Sequence, residues 1–253
     1  MKQVQQHINQ LVAQDKQDKK QVGSFYEQAL TIIKDSLSAF FVRYAGETGL
    51  DYQTVSQQAN SWDLNQLENA ISIAMDGMQP TDDLNKRLLA ARATASIDKR
   101  NTLLSIVTAT TAIATAKTQK YGNDLVVNSY IDEHRRISNQ PISQVPKDIQ
   151  KNADFNDRVW VHGDTSSNAV HDTLNKAIKK TIDSKMLRRL IKDNHDKTIV
   201  NNIDSSAQTG ISFNKLLTVN SSIQATNSAR DTAFSDNKSI DYVTYVTDMD
   251  DKV

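Results

Sequence analysis

PTDDLNKRLLAARATASIDKRNTLLSIVTATTAIATAKTQKYG, Pro80 to Gly122, opens on a helix start and meets no further breaker until its last glycine. Thr81 is a hydroxyl cap, and Asp82 and Asp83 stand against the positive end of the helix dipole. The stretch predicts one helix over about 81–121. At 1.5 Å per residue such a helix is roughly 60 Å long, more than a small compact domain is wide. Leu84, Leu88, Ala91 and Ala95, then Leu103, Val107, Thr110 and Ala114, recur at spacings of three, four or seven. Alanine and threonine in such number imply close helix contacts, and β-branched threonines weaken the isolated helix, so packing must hold it. The weakly polar core of the run, Thr102 to Ala116, falls short of the roughly 20 apolar residues a membrane span needs.

Upstream, residues 1–22 are polar and read as a frayed arm or a marginal helix, with Val4, Ile8, Leu11 and Val12 as a short apolar stripe. Ser24 and Glu27 fit a capping box, followed by Ala29, Ile33, Leu37, Phe40 and Tyr44 at helical spacing. Gly46 and Gly49 end that helix, and Asp51 caps a segment carrying Val55 and Ala59. A third helix runs from about Trp62 to Met75, facing Trp62, Leu67, Ala70, Ile71 and Ala74 inward. Downstream, 121–151 reads as a connector holding Pro141 and Pro146, with the main internal boundary inside it. An apolar knot of Phe155, Val159 and Trp160 then meets a glycine turn at Gly163. A helix capped by Asp164, Thr165 or Ser166 follows, carrying Val170, Leu174, Ala177, Ile178 and Ile182. Asn201 to Gly210 reads as loop, Phe213 to Ala229 as weak helix, and Ile240 to Val246 as a strand. The expected fold is mainly α: an elongated helical protein with a long central helix and a small C-terminal α+β portion. Its parts are an arm over 1–22, a helical domain over 23–140 and a C-terminal region over 150–253.

With 253 residues and 38% hydrophobic content the chain has enough apolar material for a modest core. Thirty basic residues against thirty acidic ones leave no net field, so attraction to nucleic acid or an anionic surface must come from a local patch. Without cysteine there is no disulfide, thiolate zinc site or thiol nucleophile. The first twenty residues have no apolar core of the secretory kind, which points to a cytosolic or particle-bound protein.

The clearest charge feature lies between Lys176 and Lys197, where eight bases, Lys176, Lys179, Lys180, Lys185, Arg188, Arg189, Lys192 and Lys197, against three acids, Asp183, Asp193 and Asp196, leave a local excess of five positive charges. Such a surface neutralises phosphates without reading bases; the plainer reading is a solvated face balanced by acids elsewhere. The five histidines, His7, His134, His162, His171 and His195, show no metal-ligand spacing. His162 and His171 with Asp164 or Asp172 would make an acid/base pair, but no serine nearby has a nucleophile-elbow context. The glycines form no phosphate-cradling loop. Phe155, Val159 and Trp160 read as anchors of a helix start, with Arg158 pairing to a carboxylate or carbonyl; the alternative is a hot spot for a partner.

The order of these motifs resembles the tailed-phage minor head proteins, also called head morphogenesis proteins and related to protein F of phage Mu. Arg43-Tyr44-Ala45, Gly49-Leu50 and Trp62 stand where that pattern has an aromatic helix ending in Arg-Tyr-Ala, then Gly-Leu and a tryptophan-bearing segment. The long helix is similar to the family's central helix. Phe155, Arg158, Val159 and Trp160 follow its Phe-Ser-x-Arg-Ile-Trp motif. Thr218-Val219-Asn220 stands where the family carries Arg-Thr-Glu, and Tyr242, Tyr245 and Asp248 follow its strand; its Cys-x-x-Cys pair has no counterpart up to Val253. The resemblance implies a low-copy structural protein inside the capsid, with host cytoplasm as its place during assembly. Its partners would be the portal protein and other capsid components, and packaged double-stranded DNA; it implies no membrane, no small-molecule substrate and no cofactor. The competing classes are a helical DNA-binding or regulatory protein outside the virion, and an ADP-ribosyltransferase. For the latter, Glu27, Glu47, Glu68 and Glu133 all lie N-terminal to the C-terminal region over 150–253, where a catalytic glutamate would be needed.

Overall fold

Successive residues of an α-helix point roughly 100° apart, so a run in which every residue is buried belongs to a helix enclosed on all sides. Ala109, Thr110, Thr111, Ala112, Ile113, Ala114, Thr115 and Ala116 are all buried. Their small side chains let neighbours approach from every direction. The buried hydroxyls of Thr110, Thr111, Thr115 and Thr118 donate to the carbonyls four residues back, at 2.8, 2.6, 2.8 and 2.9 Å. None of these four hydroxyls is stranded, which is the condition for threonine in a core.

The computed structural model describes residues 2–44, 52–142, 144–179 and 198–236. It is mainly α, and among the described residues there is no strand. The helices are α1 (Lys2–Tyr44), α2 (Tyr52–Val55), α3 (Ser61–Met75), α4 (Asp82–Ala95), α5 (Lys99–Ser138), α6 (Lys147–Lys151), α7 (Ala153–Lys179) and α8 (Thr198–Asp236). They form two compact units, each discontinuous in sequence: unit 1 is Met1–Gly122 with Ala153–Val219, and unit 2 is Asn123–Asn152 with Asn220–Val253.

In unit 1 the four long helices run alternately up and down. Tyr26 meets Thr115 and Asp18 meets Tyr121, which sets α1 antiparallel to α5. His171 bonds Thr108, and Arg100 bonds Asn175, which sets α5 antiparallel to α7. Ser166 donates to the Ala207 carbonyl and Asn214 to that of Val159, so α7 opposes α8. Lys34 pairs with Asp204 at 2.9 Å, while an added Cβ on Gly23 would touch Lys215, so α8 opposes α1. The result is an up-down four-helix bundle. α3 packs on α1 and on α4, tied to α4 by the Arg92–Glu68 pair at 2.7 Å. One continuous core includes Tyr26, Ile33, Phe40, Leu67, Leu84, Ile106, Ile113, Val170, Leu174 and Ile203.

A polar group sits inside that core. The Thr115 hydroxyl already donates to Thr111, so the Tyr26 hydroxyl is the donor in their 3.1 Å contact, and it accepts from Asn214 Nδ2 at 2.6 Å. Burial pushes the Tyr26 phenol above its ordinary value, which keeps the donor proton in place.

Unit 2 packs Val126 and Tyr130 of α5 against Val145 and against Ala225 and Ala229 of α8. Its charged centre is Glu133, whose side chain is 4% exposed. Arg136 donates to it at 2.7 and 2.8 Å, and Arg230 donates from α8.

Several boundaries differ from the sequence expectation, each for a local reason. The arm is helix: α1 runs through Ser24, whose hydroxyl donates to the Gln21 carbonyl and caps nothing, and Asp18 and Val22 are buried. The helix expected over 81–121 is two. Thr81 does cap α4, but Asp98 accepts from the Asn101 amide at 2.6 Å and starts α5, while Thr102 satisfies the freed Ala95 carbonyl at 2.8 Å. α5 then passes through Gly122 and stops at Asn139, in the left-handed conformation at φ 53. Gly122 and Gly163 are not turns. A Cβ on Gly122 would lie 2.2 Å from Phe155, and one on Gly163 2.2 Å from Thr115, so each glycine admits a side chain from the facing helix. Phe155 to Trp160 lie inside α7, and Asp164, Thr165 and Ser166 are interior to it rather than caps. Asn201 to Gly210 are helical, within α8, as are Thr218 to Asn220. The described part of 150–253 is helical, so the α+β portion finds no support there; the expected strand at Ile240 to Val246 lies outside the described residues.

Candidate functional site

Of the basic run, Lys176 is exposed near the end of α7 and Lys179 is the helix's last residue. Lys180, Lys185, Arg188, Arg189 and Lys192 lie outside the described residues, as does Gly49. The remaining motif residues fall into two side-chain assemblies, both in unit 1.

Where α1 ends, Arg43 and Tyr44 meet Trp62 in the first turn of α3. The Tyr44 and Trp62 rings are 5.7 Å apart at 83°, and Phe40 lies 5.4 Å from Trp62. The Arg43 guanidinium stands 4.5 Å from the Trp62 centroid, a cation held over an aromatic face. Beneath them Asp63, fully buried, accepts from the Tyr44 hydroxyl at 2.7 Å and the Asn60 amide at 2.8 Å, and Asn60 caps α3 in return. Burial and the Asp63 hydrogen bond push the Tyr44 phenol upward. Lys99 Nζ lies 4.4 Å from the Tyr44 ring and donates to Gln57 at 2.7 Å. Lys99 and Asp63 left no trace in the periodicity, because α1, α3 and α5 bring them together from distant parts of the chain.

The second assembly joins α4 to α7. Arg87 stacks 4.4 Å from the Trp160 ring and donates to both oxygens of Asp164, at 2.6 and 3.2 Å. Phe155 is buried against Leu217 and Trp160. Arg158 is exposed and pairs with Asp154 at 3.3 Å, the carboxylate partner anticipated for it. Arg87→Lys, which keeps the charge but loses the planar fork and the stacking, is expected to cost about 1 kcal/mol after allowance for the partial exposure of the pair. Urea unfolding of the two proteins checks this; equal midpoints and slopes would remove the assembly from the list of structural ties.

The titratable groups do not converge. His162 stacks on Phe213 at 5.0 Å, and burial and then the Arg158 charge push its pKa down. His171 bonds the Leu104 carbonyl at 2.9 Å and is likewise pushed down by burial. Nine residues of helix separate these two histidines, a rise of roughly 13 Å, so they cannot act on one atom. Asp164, their proposed companion, is held by Arg87. In unit 2, Ser138 approaches His134 Nδ1 at 3.3 Å but donates to the His134 carbonyl at 2.8 Å, which is not the geometry of an activated nucleophile. Among the described residues no group of three or more acidic or histidine side chains is placed to hold a metal ion, and no helix is long and apolar enough to cross a membrane.

Fold and site together define a mainly α-helical protein whose aromatic and ionic assemblies join helices to one another. No protein-family model, curated protein or solved structure matches the chain.

Proposed function

We propose that this chain is a minor capsid protein of a tailed phage, a head morphogenesis component inside the head that works beside the portal protein in assembly and in DNA packaging or ejection. The observation that carries the reading is the meeting of Arg43, Tyr44 and Trp62. Residues 19 apart that belong to one family-like pattern form one cation and aromatic assembly that fixes the end of α1 on α3. A motif with that purpose suits a scaffold presented to a larger assembly better than an enzyme, because its ionisable members hold helices rather than face a common point. Purified particles of the phage that encodes the chain should contain it, and it should co-purify with the portal ring. Particles free of the chain, together with a portal ring that never retains it, sink the reading.

Contact with packaged DNA is a further part of the proposal, supported by the charge excess from Lys176 to Lys197. Binding to a random duplex should weaken steeply as salt rises, since released counterions drive it. Affinity that is flat in salt, or absent at low salt, removes DNA from the partners and leaves the portal.

A further inference from the structure

We draw no further inference here: the strongest candidate, the cavity of about 430 Å³ in unit 2 that Tyr130, His134 and Ser138 of α5 line together with Pro141, Pro146 and Thr232, carries nothing, because the unpartnered Tyr130 hydroxyl beside it is itself shut off from solvent and nothing in the structure shows what the cavity takes.

Discussion

Gly210→Ala is expected to destabilise unit 1 by about 1–3 kcal/mol, although the same change on an open helix surface stabilises by about 1 kcal/mol. The sign turns on what the new Cβ would meet. It would stand 2.3 Å from the His162 carbonyl oxygen, 2.3 Å from Ser166 Oγ and 3.0 Å from the Ser166 amide. Two of those three atoms are main chain of α7, so no rotamer change relieves the contact, and α7 and α8 must move apart. That movement would loosen the Ser166 bond to the Ala207 carbonyl and the Asn214 bond to the Val159 carbonyl, both of which cross the same seam. Gly23→Ala is the natural comparison. Its Cβ would crowd the end of the Lys215 side chain at 2.8 Å, which can swing away, and would meet Glu27 Oε1 at an ordinary 3.8 Å, so the helix-propensity gain should prevail there. Thermal unfolding of the two variants should shift in opposite directions; a raised midpoint for Gly210→Ala would mean the two helices are not packed on that glycine.

Glu133→Gln is expected to cost unit 2 about 2 kcal/mol at neutral pH, with the effect disappearing in acid. Burial alone would raise the Glu133 carboxyl, but hydrogen bonds and charge from Arg136 and Arg230 outweigh it and hold the carboxyl at about 2, below its ordinary 4.5. A folded pKa below the unfolded one means that the unfolded chain takes up the proton first. The stabilisation is therefore fully present above pH 4.5 and is lost as the pH falls towards 2. The two guanidiniums are 47% and 34% exposed, so water recovers part of their solvation in the mutant, and the cost stays below that of breaking a wholly buried pair. Denaturant unfolding of wild type and mutant from pH 7 downward should give two curves that converge near pH 2. A difference constant over that range would show that the carboxylate charge contributes nothing.

Legibility of the fold varied with the kind of signal. Thr81 before two aspartates, and the apolar spacing from Leu67 to Ala74, depend on interactions within one or two helical turns, and the start of α4 and the whole of α3 stand as read. Gly122, Gly163 and the stretch from Asn201 to Gly210 were misread for a common reason. Glycine and small polar residues break isolated helices, yet they are also what a helix needs where a neighbour's Phe155, Thr115 or main chain comes within contact distance. The two uses are indistinguishable without the neighbour. The break at Ser96 to Asp98 was legible in principle, since Asp98 stands three residues before the amide it caps, but the continuous apolar spacing around it masked the signal.

By itself the sequence determined a helical chain without cysteine chemistry, the burial of threonine and alanine along its central run, and Tyr44, Trp62, Phe155 and Trp160 as inward-facing residues, because composition and short-range periodicity are properties of the chain alone. Only the tertiary structure decided that the first twenty residues join the first long helix, that the central run is two helices, that the chain crosses between two discontinuous units, and that Arg43, Lys99, Arg100 and Lys176 share one end of a bundle. The physical reason is that each of these depends on contacts between residues many tens of positions apart, and such contacts exist only once the helices of the bundle have closed on one another.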